Sequence, residues 1–131
     1  MKHKYKILLL GFFAVILVDS IGSVASKVLN FDYGNLTPLS MIIYTAIGFF
    51  SAKHGGLKSS LIFSGLVGFF DSTIGWKISL LLNANTGEVQ NLEITPLIWL
   101  ITSLFMILYS AFFGLIGYGI TRFLNIKTRN M

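Results

Sequence analysis

The sequence predicts an all-α polytopic integral membrane protein with four transmembrane helices in a single membrane domain. Three observations point there. Of 131 residues, 54% are hydrophobic and only 11% are charged, about half the charged share of a soluble domain. The apolar runs are long enough to cross roughly 30 Å of hydrocarbon at helical rise. The bases gather at the ends of those runs, as membrane anchors do.

The first helix, expected over 7–29, follows the basic start Lys2, Lys4 and Lys6 and carries no charge from Ile7 to Val18. The second, over 37–53, opens with Thr37-Pro38, a capping hydroxyl before a proline whose missing N–H costs nothing in the first turn. Gly55-Gly56 marks a tight turn into the third helix, over 59–82. A polar loop with Asn85, Gly87 and Asn91 leads to Thr95-Pro96 and the fourth helix, over 96–123. The runs are apolar on every face for a dozen residues or more, which is not the alternating pattern of a membrane barrel.

Charge orients the bundle. The segments before the first helix, between the second and third, and after the fourth carry Lys2, Lys4, Lys6, Lys53, Lys58, Arg122, Lys127 and Arg129. The opposite side carries Asp32, Glu88 and Glu93, with Lys27 and Lys77 its only nearby bases. The positive-inside rule then makes both termini cytoplasmic and the protein a multi-pass resident of the cell membrane. The basic start and small residues at Val24-Ala25-Ser26 also fit a cleaved secretory signal, but the pattern of this helix recurs downstream, which argues that it is retained.

That recurrence predicts a tandem duplication of a two-helix hairpin, with repeats over 6–53 and 58–123. Asp19-Ser20-Ile21-Gly22 lies over Asp71-Ser72-Thr73-Ile74-Gly75 with one residue inserted at Thr73. With that gap, Ser26 falls on Ser79, Leu29 on Leu82 and Asn30 on Asn83, and the Thr-Pro helix starts correspond. Two spans per unit make the repeats parallel, related by an axis along the membrane normal.

The candidate site is polar and intramembrane. An aspartate at mid-span costs roughly 2.5 to 3.5 kcal/mol on insertion scales, so Asp19 and Asp71 demand a purpose. Each shares a helical face with small and polar residues, and the site is expected to comprise Asp19, Ser20, Ser23, Asp71 and Ser72, with Lys27 and Lys77 as the available cations. Gly22, Ser64, Gly68, Gly75, Ser110 and Gly114 are expected to pack helix against helix.

Several chemistries are excluded or unsupported. The chain has no cysteine, which removes disulfides, thiolate metal sites and cysteine nucleophiles. His3 and His54 flank the spans, no metal-ligand spacing occurs, and no cofactor is implied, so an enzyme is not expected. The net charge of +5 is distributed as anchors and not as a nucleic-acid patch. The partners expected are the lipid bilayer and a second copy or a larger membrane protein. The sequence favours a small structural or accessory subunit; the alternative is a proton- or cation-linked small transporter or channel that uses Asp19 and Asp71.

Overall fold

The computed structural model describes residues 2–87 and 93–129, without side chains at 126–129, and among these the chain is helical with no strand. Helix α1 spans Lys2–Leu29, a 3₁₀ turn spans Tyr33–Leu36, and α2 spans Thr37–Phe70. A π turn over Asp71–Gly75 leads into α3, Trp76–Leu81, and α4 spans Pro96–Arg129. The basic start thus joins α1, and α4 runs beyond 123, since neither stretch contains a glycine or proline to stop it. Glu88 and Asn91 lie outside the described residues.

Among the described residues, three helices are long and apolar enough to cross a membrane, where four separate ones are expected from the sequence. The difference lies in the middle segment, Tyr33–Leu81, whose 49 residues run on as one helical stretch. Yet it is not straight. Ser64 Oγ donates to the carbonyl of Tyr44 at 3.1 Å, whereas twenty residues of straight helix would separate them by about 30 Å. The reversal occurs at Gly56, with φ 63° and ψ −154°, a backbone region open essentially to glycine alone. A side chain there would meet nothing within 4 Å, so backbone conformation, not space, requires the glycine.

The reversal gives the molecule two ends. At the bend end, the His3 and His54 rings stack with centroids 5.9 Å apart, and Thr121 Oγ1 donates to the Phe49 carbonyl at 3.0 Å. At the loop end, Tyr33 N donates to Asn85 O at 2.7 Å, and Asn85 N donates to Ser26 Oγ at 3.0 Å. Helix α4 is capped there as the sequence predicts, with Ile98 N donating to Thr95 Oγ1 at 3.3 Å. Thr37 departs from that device: its hydroxyl turns back to the Gly34 carbonyl at 2.6 Å, and Leu36 occupies the cap.

Helices α1 and α4 each pack on the folded α2. A small apolar cluster of Val15, Tyr44, Ile47 and Val67 forms one part of the interior. The rest is hydroxyls and glycines: Ser23, Ser26, Ser51, Ser60, Ser64 and Ser110 are wholly buried, while Leu9, Phe13, Leu81, Leu108 and Phe123 are exposed. Glycines allow this contact. A Cβ on Gly48 would stand 2.5 Å from Gly114 Cα, and one on Gly117 would stand 2.5 Å from Phe49 N. From the second leg of α2, residues 57–70 after the bend, Ser60 Oγ donates to the Gly114 carbonyl at 2.6 Å.

Candidate functional site

Asp19 comes from the buried face of α1, which also presents Val15, Gly22, Ser23 and Ser26. Asp71 opens the π turn at the end of the second leg of α2. Hydroxyls compete for the backbone in that turn: Ser72 Oγ donates to Phe69 O at 3.0 Å, and Thr73 Oγ1 donates to Phe69 O at 2.8 Å. The backbone N–H of Trp76 reaches back to Asp71 O, the five-residue step of a π turn. The carbonyl of Ser72 accepts instead from Trp99 Nε1 at 2.8 Å, which ties the turn to α4.

Gly75 then lets the two carboxyl groups meet. A methyl at Gly75 would strike Asp19 Oδ2 and would stand 2.7 Å from Asp71 Oδ1, so both oxygens border the same small space. Each aspartate also holds a phenol. Tyr33 OH donates to Asp19 Oδ1, and Tyr44 OH donates to Asp71 Oδ2. Asp19 is 4% exposed, and its Oδ2 has no hydrogen-bond partner among the described residues. A buried carboxylate oxygen without a partner is costly, and this one faces a second carboxylate.

Two cavities border the pair, and a third shares lining residues with them. One of about 390 Å³ is lined by Asp19 and Asp71 with Tyr33, Ser40, Phe105 and Tyr109. A second, of about 170 Å³, is lined by both aspartates with Tyr33, Ser72, Trp76, Ser79 and Thr102. A third, of about 500 Å³, lies toward the loop end and is lined by Tyr33, Trp76, Ser79, Asn83 and Thr86. Carboxylate, phenol and alcohol oxygens dominate the polar lining, a donor set that suits protons and hard cations. Among the described residues no group of three or more His, Cys, Asp or Glu comes together.

The remaining residues singled out in the sequence divide into three groups. Ser72 lines the smaller cavity at the pair, Ser23 is buried with an Oγ that has no hydrogen-bond partner among the described residues, and Ser20 is half-buried. Lys27 and Lys77 are exposed, and Lys77 Nζ lies 5.0 Å from the centre of the Trp99 ring, apart from the carboxylates. The packing residues are at helix contacts: Gly22 against Tyr33 and Leu36, Gly68 against Ser110, and Gly114 against Ser64. Tyr33 was not marked by the sequence. It follows Asp19 by fourteen residues across a chain reversal, a spacing no helical periodicity relates. Tyr44 is legible as a buried-face residue with Gly48 and Ser51, but not as the partner of Asp71.

No family model, curated protein or solved structure matches the chain.

Proposed function

We propose that the chain is a small integral membrane protein that crosses the bilayer four times and binds a proton or cation between Asp19 and Asp71, as a transporter or channel. The four crossings would be α1, the two legs of the folded segment, and α4. The first leg, 37–55, gives about 28 Å of helix, close to the hydrocarbon thickness. The exposed leucines and phenylalanines would face lipid. The basic bend end, with Lys2, Lys4, Lys6, Lys53, Lys58 and Arg122, would face the cytoplasm.

The observation that carries the reading is the unpartnered, buried Asp19 Oδ2 set against Asp71. Two carboxylates this close in a medium of low dielectric repel strongly, and a proton or cation between them removes the repulsion. The duplication is part of the same proposal and has support beyond the sequence. Asn30 and Asn83, aligned in the two units, both have φ 53°. Phe31 N donates to Ser26 O at 3.1 Å and Ala84 N donates to Ser79 O at 2.9 Å, so both helices end in the same cap at aligned serines. The extra residue of the second unit, Thr73, falls in the π turn, the form a one-residue insertion takes in a helix.

A second reading has its own observation. The Tyr33–Asp19 and Tyr44–Asp71 bonds tie separate elements together, which is what a structural or accessory subunit would use them for. The deciding experiment is flux of protons and of sodium or potassium into liposomes holding the wild type, Asp19→Asn and Asp71→Asn. Transport predicts loss of flux with thermal stability within about 1 kcal/mol of wild type, since asparagine keeps an acceptor. Flux retained in both variants, or no flux in any, would leave the subunit reading.

A further inference from the structure

We propose that the carboxyl pair exchanges its cation with solution at the loop end alone, and that Tyr33 is the side chain that closes this route. The inference rests on the reading of Asp19 and Asp71 as a cation site and adds the direction of access to it. Tyr33 borders all three cavities. The cavity of about 170 Å³ at the pair and that of about 500 Å³ at the loop end have Tyr33, Trp76 and Ser79 in common, so these three side chains stand between the carboxylates and the polar loop.

The other direction is filled. On the bend side of the pair lie Val15, Tyr44, Ile47 and Val67, all buried, and the Phe12 and Phe70 rings stacked at 4.2 Å. Beyond them, Ser60 and Ser64 close against Gly114. These buried side chains and the serine–glycine contacts pack the bend side of the pair.

The ties on Tyr33 divide between its backbone and its side chain. It begins the short 3₁₀ turn, whose backbone is held by the Asp32 carboxylate on Gly34 N at 2.8 Å and by the bond from Tyr33 N to Asn85 O at 2.7 Å. The side chain itself is half-buried, and its hydroxyl is tied to Asp19. Withdrawal of the ring therefore leaves the backbone ties in place. The closing bond also senses occupancy. The phenol sits on Oδ1 of the carboxylate whose Oδ2 faces the pair, and a cation on Oδ2 draws charge from the oxygen that holds the phenol. Binding would thus loosen the closure, and release would restore it.

The chain has no native cysteine, so single cysteines report access cleanly. Thr86→Cys and His54→Cys mark the loop and bend ends in membrane vesicles probed from either side with a small impermeant methanethiosulfonate ammonium reagent. Ser72→Cys, at the pair, should react only from the side that labels Thr86→Cys. Adding Tyr33→Ala should raise that rate roughly ten- to a hundredfold, the worth of a hydrogen bond to a charged group. Tyr33→Phe, which keeps the ring and its packing, should raise it less but in the same direction, and it decides the matter if the alanine variant does not assemble. Reaction of Ser72→Cys from the His54 side, from both sides or from neither would overturn the inference, as would an unchanged rate in Tyr33→Phe. Labelling does not require flux, so one-sided labelling with Asp→Asn variants that keep full flux would refute the cation reading instead.

Discussion

At the scale of single residues, the glycines make the sharpest forecasts. Gly75→Ala drives a methyl into Asp19 Oδ2 and should cost about 1 to 3 kcal/mol, the range for overpacking a tight interior. Gly119 lies in α4, and a methyl there would meet nothing within 4 Å, so Gly119→Ala should be neutral or stabilising by up to about 1 kcal/mol. Thermal unfolding of the two variants in one detergent compares them directly. Tyr44→Phe removes the donor to Asp71 and should cost about 0.6 to 2 kcal/mol, the span seen for hydrogen bonds between membrane helices. The aspartates themselves were legible in the sequence, because a charge inside an apolar run has few innocent explanations. Their phenols were not. Tyrosine suits interiors and interfaces alike, and only the chain reversal near Asn30 brings Tyr33 back to Asp19.

At the scale of elements, the bend and the π turn carry the design. Gly56→Ala should lose about 1 to 3 kcal/mol although no neighbour is touched, because alanine must adopt a backbone region that only glycine enters freely; chemical denaturation against Gly119→Ala isolates that cost. Gly55-Gly56 announces a turn in the sequence, but not that one residue makes it while helical bonding runs up to it on both sides. That depends on a ψ angle no composition encodes. The π turn was visible only as the extra Thr73 between matched aspartate and glycine. Deleting Thr73 should restore an α-helical register and swing Gly75 and all that follows by about 100°. The Ser72–Trp99 bond and the approach of the two carboxyls should both be lost, with flux abolished and the Trp99 fluorescence environment changed.

For the molecule as a whole, the two ends should be accessible from opposite sides of a membrane. Reporters fused before Lys2 and after Met131 should both give cytoplasmic signals, and one cytoplasmic with one external signal would rule out the four-crossing arrangement. The positions of the bases carry this expectation, since charge distribution can be read without knowledge of packing. What the sequence concealed is which residues meet across the bend at Gly56, such as Ser64 and Tyr44. Apolarity marks which residues avoid water and says little about which touch one another when lipid and protein interior are equally greasy. That same composition has a calorimetric consequence. Beside the small cluster of Val15, Tyr44, Ile47 and Val67, the interior is rich in serine and glycine, with Ser23, Ser26, Ser51, Ser60, Ser64 and Ser110 wholly buried and many large side chains exposed. Water-soluble domains gain about 12 to 15 cal/mol/K per residue in heat capacity when unfolding wets their apolar cores. Here, helices that separate within a micelle exchange serine and glycine contacts for detergent and bring little hydrocarbon into water. The heat-capacity step should be a small fraction of the soluble value, and the stability curve nearly straight, without the cold-denaturation arm that curvature produces.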